Sequence, residues 1–191
     1  MSEPSRSDVW EKLTVKVGEL ALAAGFLEMA IIAIVCRILN KTEEELKISS
    51  NSAWCRKLLD VRPMTWSEDE RNQLEFRIRH IRHLYSRRNK LIHAGLALVS
   101  DDSVHGVPPG SIIDLRTYGL GVTGRTPNSV TVGVVAKQVK LDEISSLARA
   151  LHDARLSLVP YMDLADQIKH PADLSELSRF VREAEIGRKL F

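Results

Sequence analysis

The chain is expected to be a mainly α protein, a helical bundle of about four to five helices with an inserted β-hairpin. Three observations predict it. The run Leu20 to Leu39 is apolar nearly all round, an apolar stripe of period 3.6 runs from Leu74 to Ile92, and strict alternation is confined to two segments between residues 111 and 139. Its 191 residues are enough for one well-packed core, and no evident linker divides them. The expected organisation is therefore a single domain, 1–191, with an inserted loop and hairpin at about 96–140 and a C-terminal helical tail at about 168–191.

The first element is expected to be a central helix from about Val9 to Leu39, capped by Ser7 and Asp8. Gly18 and Gly25 either weaken it or admit a close neighbour. Because it is apolar on most sides, its own domain or a second subunit must cover it, and a homodimer is expected. Thr42-Glu43-Glu44-Glu45 reads as a cap and acidic first turn of a short helix, and Ser52 to Leu59 as another helical piece ending before Pro63. Ser67, with Glu70 three residues on, starts a long helix that should run to about Ala94-Gly95.

On that helix Leu74, Ile78, Ile81, Tyr85 and Ile92 share one face, and Arg88 falls on the same stripe. Arg79, His80, His83, Arg87 and Lys90 point the other way, as a solvated basic face. Beyond Gly95 the loop residues Asp101 to Gly110 precede the alternating segments 111–117 and 130–139, the hairpin strands. Gly119-x-Gly121-x-x-Gly124 has the spacing of a dinucleotide fingerprint, but no helix follows it, and it reads as hairpin turn. Leu141 to about Gln167 is the next helix, with Ile144, Leu147, Leu151, Ala154, Leu158 and Tyr161 on one face and a kink at Pro160. Pro171 starts a last amphipathic segment to about Ile186.

Composition narrows the function classes. A formal net charge of +2 is too small for a general nucleic-acid footprint, so any basic site must be local. Cys36 and Cys55 have no metal-ligand spacing and read as reduced thiols, and the first residues are polar, so a cytoplasmic location is expected. Glu28 in the middle of the apolar run opposes a membrane span. Phosphate loops, nucleophile elbows and paired-cysteine zinc patterns are missing from the sequence. No cofactor and no metal is expected; His80 and His83 have helical ligand spacing but no evident third partner. Trp10, Trp54 and Trp66 are expected to pack in the core or an interface.

The informative segment is Tyr85-Ser86-Arg87-Arg88-Asn89-Lys90-Leu91-Ile92-His93-Ala94-Gly95. An arginine on a core-facing stripe needs a partner for its guanidinium, and Glu28, the one acidic residue of the apolar helix run, is the expected one. Asn89 lies between Arg88 and His93 in helical projection, so the three polar groups can converge on one groove. Arg88-Asn89, three residues and then His93, late in a helix, resembles the Arg-Asn-x-x-x-His motif of the HEPN superfamily (higher eukaryotes and prokaryotes nucleotide-binding). Gly25-Phe26-Leu27-Glu28 is similar to the polar position such domains often carry in their first long helix, and the resemblance spans about Val9 to Gln167.

The resemblance implies a metal-independent endoribonuclease that pairs two motifs across a dimer and cleaves RNA through the 2′-hydroxyl, in a toxin, stress-response or phage-defence role. Under that reading Arg88, Asn89 and His93 are catalytic, Glu28 holds Arg88, and Arg82 and Lys90 guide the RNA backbone. Expected partners are RNA, a second copy of the chain, and an antitoxin or defence-system protein. The alternative is a non-catalytic HEPN-like module that binds RNA, a nucleotide or a protein. The two differ in whether Arg88 and His93 face an open groove or are sealed.

Overall fold

Helix α1 (Arg6–Leu39) begins the chain's described part. The computed structural model describes residues 6–99, 104–126 and 129–168. Ser7 and Asp8 lie inside the first turn rather than before it, so the expected cap is replaced by an earlier start, with Asp8 favourably placed against the helix dipole. The helix buries Leu13, Leu20, Ala24, Leu27, Ile31, Ile34 and Val35. Among the described residues the other side stays largely uncovered: Leu22 is 63% exposed, Phe26 50% and Met29 64%. By length and composition alone residues 7–39 are long and apolar enough to cross a membrane, a criterion the core helix of a soluble protein also meets.

Two short helices follow, each with a side-chain cap. Helix α2 (Glu43–Leu46) carries a reciprocal capping box, the Glu45 N–H donating to Thr42 Oγ1 and the Thr42 N–H to Glu45 Oε2. Helix α3 (Asn51–Val61) is capped by Ser50. Helix α4 (Glu68–Ile92) starts on the predicted box, with the Glu70 N–H donating to Ser67 Oγ at 3.2 Å and the Ser67 N–H to Glu70 Oε2 at 2.7 Å. The Ser67 hydroxyl, which also donates to Glu70 Oε2 at 2.7 Å, and then the Ser67 N–H hold the Glu70 carboxyl below its ordinary pKa. The helix closes at Gly95, whose φ of +66° only glycine adopts without strain.

After α4 comes a three-stranded antiparallel sheet of order β1-β2-β3, where two strands were expected: β1 (Leu96–Leu98), β2 (Ile112–Thr126) and β3 (Ser129–Val139). Strand β2 runs through the whole glycine triplet, so these glycines are strand residues and not a turn. Gly121 stands opposite Gly133, and a Cβ on Gly121 would come within 2.6 Å of Val135 Cγ2, a close approach only glycine permits. Helix α5 (Leu141–Leu156) ends earlier than expected, and Pro160, near the start of α6 (Val159–Asp166), marks a restart rather than a kink. The expected tail at about 168–191, with its amphipathic segment from Pro171, lies outside the described residues beyond 168.

Contacts divide the chain into two units. The first comprises residues 1–28 and 77–156. Its core is built from Leu20 and Leu27 of α1, Ile78, Ile81 and Leu84 of α4, and Ile144, Leu147 and Leu151 of α5, each side chain stabilising by about 1.5–3 kcal/mol on burial. The Tyr85 hydroxyl donates to the Ala24 carbonyl at 3.4 Å. A smaller cluster of Val99, Val104, Val107 and Ile113 packs with Val134 and Ala136.

The second unit comprises 29–76 and 157–191. Its buried residues include Ile31, Ile34, Trp54, Leu58, Leu74, Leu158 and Tyr161, and Trp66 and Tyr161 sit 5.8 Å apart by ring centroids. Trp54 and Trp66 pack as expected, whereas Trp10 is 40% exposed because it lies near the outer end of α1.

Candidate functional site

The last turns of α4 carry Arg88 and Asn89, and His93 stands in the turn directly after the helix. Leu84 and Tyr85, one turn earlier, are buried, so the helix is pinned just before the motif. Arg88, on the inward stripe, is half-buried, while Asn89 and His93 are exposed. Arg82 and Lys90, together with Arg79, His80, His83 and Arg87, are also exposed, the outward basic face the sequence predicts. Two adjacent arginines, Arg87 and Arg88, thus have different surroundings because they lie a hundred degrees apart on the helix.

Arg88 Nη1 donates to Asn89 Oδ1 at 3.0 Å, and the His93 backbone N–H donates to the Asn89 carbonyl at 3.0 Å. With Oδ1 occupied as an acceptor, the Asn89 side-chain nitrogen is left as a donor facing outward. The described side-chain partner of Arg88 is therefore its chain neighbour, where the sequence pointed to Glu28. Glu28 is half-buried and has an interaction of its own. Arg88 Nε is buried without a hydrogen bond, a feature shared with Arg71, Arg77 and Arg155, which leaves the terminal guanidinium nitrogens as the ones to meet an acceptor.

A second arginine fixes the end of this helix, and sequence reasoning missed it. Between Asp114 and Gly119 the β2–β3 register shifts, four residues of β2 standing against one of β3, and this bulge carries Arg116 outward. Asp114 grips Arg116 at three points: the backbone N–H and Nε each donate to Oδ1 at 3.0 Å, and Nη2 donates to Oδ2 at 2.7 Å. The same Nη2 donates to the Lys90 carbonyl, so Arg116 caps the C-terminal end of α4, where cations suit the helix dipole. The bulge is braced by Thr117, whose hydroxyl donates to the Asp114 carbonyl at 2.7 Å and accepts from the Lys137 N–H at 2.7 Å.

The electrostatics follow from that grip. Asp114 is only 7% exposed, and hydrogen bonds from Arg116, with the nearby charge of Lys137, hold its carboxyl below the ordinary value. The carboxylate in turn pushes the Arg116 guanidinium further up, so both stay charged at neutral pH. The Asp114-x-Arg116 spacing, two residues on one strand face, was the available sequence signal, but only the bulge shows that it reaches α4.

Among the described residues no group of three His, Cys, Asp or Glu side chains is placed to hold a metal ion. Comparison with protein-family models, with curated proteins and with solved structures finds no match for this chain.

Proposed function

We propose that the chain is a HEPN-like helical bundle acting as a metal-independent endoribonuclease, working as a homodimer in the cytoplasm. The observation that carries this reading is the placement of the three residues at one helix end, with an exposed imidazole at His93 and an exposed amide at Asn89 that accepts from the half-buried Arg88. Of the two residues that separate this reading from the non-catalytic alternative, His93 is exposed and Arg88 is half-buried, and the exposed His93 favours the enzyme.

In the proposed reaction the 2′-oxygen attacks the adjacent phosphorus, and the 5′-oxygen of the next nucleotide leaves. His93 removes the 2′-hydroxyl proton or protonates the departing oxygen; an imidazole suits either task near neutral pH. Arg88 places its planar donor fork against the charge that builds on the phosphorane oxygens, and the Asn89 amide nitrogen donates to a phosphate oxygen. Arg82 and Lys90 attract the backbone. The exposed flank of α1, with Leu22, Phe26 and Met29, is apolar surface suited to a second copy. An antitoxin or defence-system protein as a further partner, and the toxin or phage-defence role, belong to the same proposal.

The test uses one oligonucleotide sequence made as RNA and as its fully 2′-O-methylated form. The proposal expects cleavage of the RNA alone, with 2′,3′-cyclic phosphate and 5′-hydroxyl ends. Cleavage of the methylated strand, or products with 5′-phosphates, would overturn the 2′-hydroxyl mechanism.

A further inference from the structure

The end of α4, the bulged part of β2, strand β3 and the first turns of α5 surround a cavity of about 150 Å³. Four cations line it, Arg87 and Lys90 of α4, Arg116 of β2 and Lys137 of β3, against two carboxylates, Asp114 and Glu143. Asp114 is already committed to Arg116 by three hydrogen bonds. The cavity therefore presents a cationic excess although the chain as a whole is close to neutral. Positive side chains from three separate elements repel one another, and an anion between them removes that cost.

Arg116 is preorganised for the task. Its Nε and Nη2 are spent on Asp114 and the Lys90 carbonyl, which fixes the guanidinium plane, while Nη1 takes part in none of these bonds and stays available. A fixed fork loses little freedom when it binds an oxyanion. Leu91, Val139 and Leu147 form an apolar wall beside the cations, which suits a ring or ribose attached to the anion. The volume is below the roughly 300–1,000 Å³ of drug-sized or cofactor sites, so the occupant is small. Arg87, Lys90 and Ala94 share a helix face by their spacing of three and four, while Asn89 and His93 lie about 130° and 95° round from its middle and do not line the cavity. The cavity therefore uses none of Arg88, Asn89 and His93, and Lys90 is the residue it shares with the proposed RNA path.

We propose that this cavity binds a phosphate monoester, its dianion held by Arg87, Lys90, Arg116 and Lys137 and its organic group laid on the apolar wall. The monoester is either the 5′-terminal phosphate of an RNA or a free phosphorylated small molecule. The site goes beyond the nuclease reading and does not depend on it.

The experiment is calorimetric titration of the full chain with inorganic phosphate, with phenyl phosphate, and with one RNA pentamer bearing either a 5′-phosphate or a 5′-hydroxyl. Phenyl phosphate should bind saturably at one site and more tightly than inorganic phosphate. Arg87→Ala and Lys137→Ala, both at exposed positions, should each weaken it about tenfold, the loss expected for a charged hydrogen bond. His93→Ala should bind as the wild type does, which keeps failure here distinct from failure of the nuclease reading. A pentamer at least tenfold tighter with its 5′-phosphate assigns the site to RNA ends; equal pentamers beside retained phenyl phosphate binding assign it to a free small phosphate. No saturable binding of phenyl phosphate, or binding unchanged in both alanine variants, would overturn the proposal.

Discussion

One substitution type should change sign along this chain. Gly18 and Gly25 lie within α1, both exposed, and a Cβ built on either meets no atom within 4 Å. Alanine there gains helix propensity without a clash, so each of Gly18→Ala and Gly25→Ala should stabilise by about 0.8–1 kcal/mol. At Gly95 the nearest atom to a new Cβ is Leu115 Cβ at 3.6 Å, ordinary contact, so packing does not oppose alanine. Its backbone does: at φ +66° an L side chain costs about 1–2 kcal/mol. Gly95→Ala should destabilise by that amount, and Gly95→Asn by less, because asparagine tolerates the left-handed region. Gly18→Ala and Gly95→Ala should thus differ by about 2–3 kcal/mol in urea unfolding followed by circular dichroism, with the slope unchanged. A neutral Gly95→Ala would refute the account of how α4 ends, and a Gly18→Ala that destabilises at every protein concentration would refute the open flank of α1. Destabilisation by Gly18→Ala that grows with protein concentration would instead place a second copy on that flank.

Further expectations follow from caps and charges. Ser67→Ala removes the α4 capping box and should cost about 1 kcal/mol in the same unfolding assay; no measurable loss would contradict the cap. Asp114, held below its usual value by Arg116, contributes stability that is present above the unfolded aspartate value and lost as pH falls through its lowered one. Wild type should therefore lose more stability than Asp114→Asn when acidified below the ordinary carboxylate range, and parallel profiles would contradict the grip. Burial, then the charges of Glu43, Glu44 and Glu45, push the Cys36 thiol up. It should react slowly with iodoacetamide at pH 8 and faster once these glutamates are replaced by glutamine; a rate equal to that of the unfolded chain would count against this. Because the shift is upward, its contribution to stability is complete below the ordinary cysteine value and fades as pH rises through the raised one.

What could be read from the sequence was what local chemistry decides. The Ser67–Glu70 box, the inward stripe from Leu74 to Tyr85 and the α5 face from Ile144 to Ala154 all depend on residues within a few positions of one another, and each stands where the periodicity put it. Strand β1 was hidden because Leu96-Ala97-Leu98 is too short to show alternation and exists only through pairing with β2. The length of β2 was hidden because Gly119, Gly121 and Gly124 signal turns locally, while their packing against β3 is a non-local fact. For the site, the sequence assigned Arg88, Asn89 and His93 to one helix end and separated Arg87 from Arg88. It did not reveal the Arg88–Asn89 side-chain hydrogen bond, nor Arg116, whose role depends on a bulge 26 residues beyond the carbonyl it caps.

The central claim is that Arg88, Asn89 and His93 cleave RNA without a metal ion. Purified wild type and His93→Ala, incubated with mixed RNA in excess EDTA and resolved on a gel with their termini identified, test it most directly. The account predicts cleavage by the wild type alone, leaving 2′,3′-cyclic phosphate ends, with the variant folded but inactive because His93 is exposed and supports no core. Equal cleavage by both proteins, or cleavage by wild type that EDTA abolishes, would contradict it.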